Sequence, residues 1–467
     1  YILMQNVIVN LLPEISIILT SFLLLINSLY KNKNSELVNF IITIVGLILS
    51  LYFVTNQSNQ TFFNGNLENS DFTKTIKILL IFATLISLFF IKSKNFNFHN
   101  EFFSEYSFLL IISLLGGLFL VSAREFFIAI ISIEILSIPL YIIAATGTKS
   151  GLSVEGATKL FFFGSLSTVI LVFSAVLLFV ATGSTLINLS ILDYKDIVSV
   201  LCFLFILIPV CFKTGLLPMH FWISDVYQSS PPRLLTYLST VPKIAVISFF
   251  INIMMGDGSQ IFEVKLFKYI LSIFCFVSIF YGSILTLRQT NLMRLLAYSG
   301  IPHAGMMLLF SIVYIGDSFE FMRIYFSFYI LSNTCLYLCI SNLDNYEKGG
   351  IDSLKGLYND SIFISICLAI SILSLAGTPL TYGFWAKFNL IILMYKTNGL
   401  LYSVLILIGS MISFYYYLRL IKEIFSDKKI NTKNKISISL NDKSVIAICT
   451  ILIILLGLSP NLIKILS

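Results

Sequence analysis

Long apolar segments, repeated along the chain, constrain its fold more than any other feature. A helix needs about 20 mostly apolar residues to cross the hydrocarbon layer of a membrane, and the sequence contains about fourteen such segments. They do not alternate apolar and polar residues as the strands of a membrane barrel do. Their approximate bounds are 11–29, 38–55, 76–92, 106–122, 125–146, 156–182, 197–218, 231–255, 266–287, 293–315, 322–341, 360–391, 399–421 and 443–463. The pattern predicts an all-α polytopic membrane protein.

The low charge content excludes the soluble classes of protein. Hydrophobic residues make up 57% of the chain and charged residues 11%, whereas soluble domains carry about 25% charged residues. This excludes a cytosolic enzyme, a secreted disulfide scaffold and a disordered protein. The net charge of +7 is scattered between apolar segments, so no nucleic-acid partner is predicted. The seven cysteines show no CxxC spacing, so neither a metal site nor an iron–sulfur cluster is predicted.

The basic residues of the connecting loops predict the orientation in the membrane. Odd-numbered loops carry more Lys and Arg than even-numbered loops, and the largest basic cluster lies between Arg419 and Lys443. Basic loops stay on the cytoplasmic side of a membrane, or on the side equivalent to it. We therefore expect both termini on the outer side and the loop 422–443 on the inner side.

A small set of ionisable side chains lies inside the predicted spans. A charged group at a helix centre costs at least ~2.5–3.5 kcal/mol on insertion, so it needs a partner or a function. Lys159 and Lys213 could instead extend toward the membrane interface, and His303 could simply bridge two helices. Taken together, the set is typical of a chain of titratable sites: Glu134, Lys159, Lys213, Lys243, His303 and Lys387.

Glu134 and Lys213 are predicted to form a pair that can open and close. Burial disfavours the charged form of an amine, and a nearby carboxylate favours it. A lysine whose carboxylate partner moves away would therefore release a proton. In this interpretation Lys243 is the next carrier.

Two of the predicted spans contain residues that break helices. The seventh span includes KTGLLP at 213–218, and the twelfth includes AGTPLTYG at 376–383. Such breaks occur inside protein or beside water, because lipid cannot satisfy the freed backbone groups. The seventh and twelfth spans cross the membrane in opposite directions, which predicts two inverted five-helix repeats, helices 4–8 and 9–13, as in ion transporters. The alternative is two unrelated proline kinks.

This pattern divides the chain into four predicted parts. An N-terminal three-helix segment covers 1–104, and the first repeat covers 105–255. The second repeat covers 256–421, and a basic loop with the C-terminal helix covers 422–467.

Several motifs resemble those of a known family. The segments PMHFWISDVYQ at 218–228, LLAYSGIPHAG at 295–305 and GTPLTYGFWAKF at 377–388 resemble, in this order, signatures of the antiporter-like subunits of respiratory complex I. Within that family the chain is most similar to the subunit 2 branch, whose bacterial counterpart is the N subunit. The segments IEILSIPLY at 133–141 and EGATKLF at 155–161 carry this finer resemblance, together with a lysine at position 387 where the subunit 4 relatives typically carry glutamate.

The resemblance implies proton translocation by a subunit of NADH:ubiquinone reductase, driven by NADH oxidation and quinone reduction elsewhere in the complex. It implies no redox centre and no cofactor in this subunit, since NADH, FMN, iron–sulfur clusters and ubiquinone bind to other parts. Carried over by position, Glu134 and Lys213 would form a pair between helices 5 and 7. Lys243 would be the central relay, and Lys387 would be an exit-side or connecting residue. Lys159 and His303 would be auxiliary groups.

The resemblance also implies partners and a location. The neighbours would be the subunit 4 and subunit 4L homologues, the lateral helix of subunit 5, and lipids. The abundance of Phe, Ile, Asn, Lys and Tyr is typical of AT-rich organellar coding, which favours the mitochondrial inner membrane with both termini in the intermembrane space. A bacterial plasma membrane is the alternative location.

Two other functions remain as alternatives. A cation/proton antiporter subunit of the Mrp kind would share the lysine series, although Lys387 and the subunit 2 details favour complex I. A purely structural membrane scaffold would carry its charges for packing alone, and the complete series of ionisable residues argues against it.

Overall fold

The elements of the described residues are helices, apart from one small hairpin. A computed structural model describes residues 2–29, 35–91, 103–146, 151–187, 196–255, 265–313, 318–343, 350–427 and 438–459. Within these ranges thirteen helices are long and apolar enough to cross a membrane, and Ile362–Ala376 is a shorter apolar helix. The prediction of an all-α, multi-pass membrane protein is confirmed.

The chain forms two compact units, each with its own core. The first contains the described parts of Tyr1–Lys92, Phe96–Thr214 and Val241–Ile270. Its elements, with a helix that continues beyond it, are α1 (Ile2–Leu29), α2 (Ser35–Thr55), β1 (Gln60–Phe62), β2 (Leu67–Asn69), α3 (Asp71–Ile91), α4 (Phe103–Ser122), α5 (Phe126–Ala145), α6 (Gly151–Thr182), α7 (Ile197–Thr214), α10 (Val241–Met255) and the start of α11 (Lys265–Leu287).

The second unit contains the described parts of Gly215–Thr240 and Leu271–Ser467. After the remainder of α11, its helices are α8 (Ile223–Ser229), α9 (Pro232–Leu238), α12 (Leu292–Leu309), α13 (Ser318–Ser341), α14 (Leu357–Asp360), α15 (Ile362–Ala376), α16 (Tyr382–Asn398), α17 (Leu400–Ile424) and α18 (Leu440–Leu458). The predicted boundaries of the two repeats stay a prediction, and part of the predicted basic loop, 428–437, lies outside the described residues.

Both predicted helix breaks are confirmed. Helix α7 ends at Thr214, and an irregular stretch runs from Gly215 to the start of α8. Helix α15 ends at Ala376, where Gly377 takes the left-handed conformation with φ 83°, and α16 begins only at Tyr382. Glycine adopts a positive φ without the steric cost that a Cβ atom would impose. The seventh predicted span is therefore longer than the helix that forms.

The predicted eighth span is also interrupted. Helix α9 ends at Leu238 and α10 begins at Val241. Pro242 has no N–H group and cannot donate to the carbonyl four residues earlier, so the helix cannot run through unchanged. The proline was visible in the sequence, but Lys243 was expected within one continuous helix.

A buried ion pair joins α1, α3 and the hairpin of the first unit. Lys77 Nζ of α3 lies 2.8 Å from Glu14 Oε1 of α1 and 3.1 Å from Asn69 Oδ1 of the hairpin. Both charged side chains are at most 2% exposed. Arg124 also binds the hairpin through Glu68. None of these residues was predicted from the sequence as a buried charge, because each charge lay near the start of a predicted span or between two spans.

In the second unit, polar contacts hold the short helices α8 and α9. Arg233 of α9 donates to Asp442 Oδ2 of α18 at 2.8 Å. Arg294 of α12 donates to Asp225 at 3.0 Å and to Gln228 at 2.5 Å, both on α8. These contacts fix the segments that follow the first helix break.

We expect that removing one partner of the Glu14–Lys77 pair destabilises the protein far more than removing both charges. Lys77→Met leaves the Glu14 carboxylate buried and unpaired, which should cost about 3–5 kcal/mol of stability. Adding Glu14→Gln to the same chain should recover most of that loss. The measurement is thermal unfolding of the purified protein in detergent.

The matched control is Lys74→Met on the same helix. Lys74 lies 4.0 Å from Asp71, whose side chain is 86% exposed, and such exposed pairs contribute only about 0–1 kcal/mol. Equal losses of stability from Lys77→Met and Lys74→Met would contradict the assigned importance of the buried pair.

Candidate functional site

Lys213 occupies a polar site inside the first unit. Its side chain is 8% exposed and stands in the last turn of α7. The ammonium group donates to Ser137 Oγ at 2.8 Å and to the Tyr141 hydroxyl at 2.9 Å, both on α5. Gly164 of α6 faces Tyr141, and a Cβ atom at that position would collide with the tyrosine hydroxyl. The glycine therefore leaves the space in which Tyr141 reaches Lys213.

Glu134 lies on the same helix as these hydroxyls. Ser137 and Tyr141 follow it by three and seven residues, so all three side chains share one face of α5. Glu134 and Lys213 interact electrostatically, but these two described residues form no direct ion pair within 4.0 Å. One Glu134 oxygen, Oε1, is buried without a hydrogen-bond partner among the described residues. The structure thus brings the predicted pair to one site and places two hydroxyls at the lysine.

Lys243 lies deep in the same unit. It stands in the first turn of α10, directly after the interruption that follows α9, and is 2% exposed. Helix α10 packs against α3, α4 and α7. A lysine buried to this degree is expensive to keep charged, which is typical of a functional amine.

Lys159 differs from the other predicted lysines. Its side chain is 38% exposed and lies 2.6 Å from Glu155, one turn earlier on α6. An ion pair of this kind within one helix and partly exposed contributes little to stability. The structure therefore shows Lys159 in a partly exposed ion pair within α6, and its auxiliary role stays a prediction.

His303 is buried among aromatic side chains in the second unit. Its Nδ1 atom lies 3.0 Å from the Tyr325 hydroxyl of α13. Its Nε2 atom lies 3.4 Å from the Tyr417 hydroxyl of α17. The rings of Phe328 and Tyr329 lie within 5.9 Å and 5.5 Å of the imidazole. Both ring nitrogens therefore face hydroxyl groups.

Lys387 stands beside the break between α15 and α16. Its ammonium donates to the carbonyl of Ala376 at 2.8 Å and to Ser413 Oγ at 3.4 Å. A Cβ atom on Gly377 would approach the Lys387 side chain to 2.7 Å. Beside it lies a cavity of about 280 Å³, lined mainly by apolar side chains that include Phe384 and Met411. The residues of the helix break are thus in direct contact with Lys387.

The predicted residues fall into separate groups. Glu134 and Lys213 share one site, and Lys243 lies in the same unit. His303 and Lys387 belong to the second unit, each with its own hydrogen-bond partners. Within the described ranges, no group of three or more His, Cys, Asp or Glu side chains is placed to hold a metal ion.

The sequence analysis missed the hydroxyl partners. Ser137 and Tyr141 could have been found, because they lie one and two turns after Glu134 on the same helix face. Tyr325 and Ser413 lie on the next helix after His303 and Lys387, respectively, and Tyr417 lies 114 residues after His303. No pattern within one helix relates these hydroxyls to His303 or Lys387.

Comparison with known proteins gives a consistent result. The family described as "NADH:quinone oxidoreductase/Mrp antiporter, TM" matches residues 123–413. NADH-quinone oxidoreductase subunit N 2 of Thermodesulfovibrio yellowstonii is 30% identical over 97% of this chain and 98% of its own length.

Two solved structures have the same fold. A chain of respiratory complex I from Thermus thermophilus with bound aureothin has a TM-score of 0.81 at 24% identity and covers 97% of this chain and 98% of its own. A chain of the Mrp complex from Dietzia sp. DQ12-45-1b has a TM-score of 0.81 at 16% identity and covers 98% and 95%, respectively. The resemblance to the subunit 2 branch, the counterpart of the bacterial N subunit, is confirmed. The chain belongs to the NADH-quinone oxidoreductase subunit N family.

Proposed function

We propose that this chain translocates protons as the N subunit in the membrane arm of NADH:quinone oxidoreductase, using Glu134, Lys213, Lys243, His303 and Lys387. The observation that carries the proposal is the arrangement of Lys213. Its ammonium is held by Ser137 and Tyr141, one to two helical turns from a partly unsatisfied carboxylate.

This arrangement gives the Lys213 ammonium two positions along α5. In the first, it donates to the two hydroxyls, and in the second it pairs with Glu134. Pairing with the carboxylate stabilises the charged amine, and moving back to neutral hydroxyls removes that stabilisation. Lys213 then holds its proton less tightly and can pass it on, with Lys243 as the next buried amine of the same unit.

His303 and Lys387 continue the series in the second unit. Both are at most 5% exposed, and both can gain or lose a proton without leaving their hydrogen-bond partners. Lys387 would act at the exit side or connect to a neighbouring subunit. Lys159 takes an auxiliary role, with its charge paired to Glu155 on the same helix.

In the same proposal, the subunit has defined neighbours within the complex and no cofactor of its own. The chain binds no redox cofactor of its own, and NADH oxidation and quinone reduction take place in other subunits. Its neighbours are the subunit 4 and 4L homologues and the lateral helix of subunit 5, with lipids at the faces. The termini lie on the outer side.

The location follows from the relatives and from composition, which point in different directions. The subunit N relative from Thermodesulfovibrio yellowstonii is bacterial, which supports a plasma membrane. The residues typical of AT-rich coding support the mitochondrial inner membrane, which stays a prediction. Fractionation of the source cells and detection of the chain by peptide mass spectrometry would decide between them.

An Mrp-type cation/proton antiporter remains the second candidate, because the fold is shared with the Mrp complex of Dietzia. The 30% identity to a subunit N along nearly the whole chain favours the first. Finding the chain in the NADH-oxidising band of a native gel supports complex I. Finding it only in smaller bands without that activity supports the antiporter.

We expect Lys213→Met, Glu134→Gln, Lys243→Met and Lys387→Met to abolish most proton translocation while the complex still assembles. Positioned acid–base groups contribute about 100-fold or more to proton-transfer rates, so the rate of proton translocation should fall by about 100-fold or more. The measurement is dye-reported acidification of proteoliposomes that contain the whole complex, with NADH oxidation followed in parallel.

The matched control is Lys396→Met, an exposed lysine on the same helix as Lys387. It should keep both translocation and NADH oxidation. A Lys213→Met complex that assembles and translocates protons at the normal rate would contradict the proposal.

We also expect Gly377→Ala to impair translocation through Lys387. The new methyl group would press on the Lys387 side chain, and a displacement of about 1 Å can lower a rate by about 100-fold. Gly183 also has a positive φ, 70°, but a Cβ atom there would meet no atom within 4 Å. Gly183→Ala therefore imposes a similar backbone cost, about 1–2 kcal/mol, without the contact. Equal effects of both variants on translocation would contradict the role of the Gly377 contact.

A further inference from the structure

The end of helix α18 contacts the backbone of the break that lies beside Lys387. A Cβ atom on Gly457 of α18 would lie 2.4 Å from the Leu380 carbonyl oxygen and 2.6 Å from the Thr381 carbonyl carbon. Both contacts are with main-chain atoms, which cannot rotate away as the end of a flexible side chain can. The close approach of α18 to the break therefore requires glycine at position 457.

A hydrogen bond joins the same two parts of the second unit. Trp385 lies in the first turn of α16, and its indole N–H donates to the Gly457 carbonyl at 2.8 Å. Gly457 is the next-to-last residue of α18, and the last four carbonyls of a helix have no N–H partner within it. Trp385, two residues before Lys387, thus binds a carbonyl that α18 itself cannot satisfy.

The backbone at this contact is strained. Leu380 has a φ of 72° although it is not glycine, and its Cβ atom makes this left-handed conformation unfavourable. The Leu380 side chain is 68% exposed, so burial of that side chain does not explain the conformation. Such conformations persist where the surrounding structure imposes them. Because the Leu380 carbonyl faces Gly457, α18 is part of the structure that imposes it.

The start of α18 is fixed at a separate place. Asp442 accepts from Arg233 of α9 at 2.8 Å, and both side chains are at most 2% exposed. Between its two ends α18 packs against α13, α15 and α16. Because α18 is fixed in this way, the break is the part that would move if a methyl group were added at Gly457.

We propose that Gly457 and Trp385 are positioning residues for proton transfer at Lys387. They hold the break against α18, and the break in turn places Ala376, whose carbonyl accepts from the Lys387 ammonium at 2.8 Å. Neither positioning residue takes a proton. The inference rests on the proposed function, in which Lys387 carries protons, and it gives α18 the task of keeping the break in place during the transfer.

A role in packing alone predicts a different result. A contact that only stabilises the fold affects how much complex assembles, and the assembled complex then translocates protons at the normal rate and with the normal pH profile. A positioning role changes both properties of the assembled complex. A hydrogen bond to the charged form of an amine favours that form, so displacement of the Ala376 carbonyl should move the pH profile of translocation to lower pH.

The first variant is Gly457→Ala in the whole complex in proteoliposomes. The new Cβ atom and the Leu380 carbonyl must separate by about 1 Å, since non-bonded heavy atoms lie about 3.5 Å apart. A displacement of about 1 Å can lower a rate by about 100-fold, so we expect a loss of that size in translocation per assembled complex, with the shift to lower pH. The measurement is dye-reported acidification at a series of pH values.

Gly117→Ala is the matched control. Gly117 is also a buried glycine within a helix, α4, but a Cβ atom there would meet its nearest neighbours at ordinary contact distances of 3.6 and 3.7 Å. Alanine favours the helix in the same way at both positions, so Gly117→Ala should keep translocation and its pH profile. Equal results for Gly457→Ala and Gly117→Ala would overturn the proposal.

Trp385→Phe covers the case in which Gly457→Ala does not assemble. It keeps an aromatic ring and removes the N–H donor, so the Gly457 carbonyl loses its partner. We expect slower translocation and the same shift of the pH profile. A normal rate and pH profile in Trp385→Phe, or the failure of both variants to assemble, would contradict a positioning role.

Lys387→Met, measured in parallel, separates this inference from the proposed function. If Lys387→Met loses translocation while Gly457→Ala assembles and keeps it, the positioning role is wrong and the proposed function stands. If Lys387→Met keeps translocation, the proposed function fails at Lys387 and the inference fails with it.

Discussion

Every backbone N–H and C=O group inside the apolar layer of a membrane must find its partner within the protein, and the rest of this structure depends on that requirement. Unbroken helices meet it by themselves, but each interruption frees groups that need new partners. At the first break the N–H of Leu217 donates to Ser278 Oγ at 3.1 Å. At the break after α15 the carbonyl of Ala376 accepts from Lys387. The lysine proposed to carry protons is thus also the group that satisfies the broken backbone.

The same requirement explains where the charged side chains can stand. A buried charge needs a counter-charge or several dipoles around it. The Glu14–Lys77 pair follows the first solution, with both charges paired at 2.8 Å. Lys213, bound to Ser137 and Tyr141, follows the second. The first solution gives a fixed contact, whereas neutral hydroxyls hold an amine that can still move or lose its proton.

Local patterns predicted a large part of this protein. The spans, the breaks at 213–218 and 376–383 and the resemblance to one family were all visible in the sequence, because hydrophobic length and Gly/Pro positions act within a few residues. The interruption between Leu238 and Val241 was missed, although Pro242 was a signal for it. The ion pair of Lys159 with Glu155 was not predicted, although a glutamate one helical turn away was a signal for it.

The sequence by itself determined the membrane class, most of the helices and the burial of Lys213, Lys243 and Lys387, since each follows from the cost of transferring a group into lipid. Only the tertiary structure decided which partners these residues have. Tyr417 meets His303 from a helix 114 residues further along the chain. Tyr325 meets His303, and Ser413 meets Lys387, from the next helix in each case. Hydrogen bonds reach about 3 Å, so such partners are set by how the helices pack, and packing is a property of the whole unit.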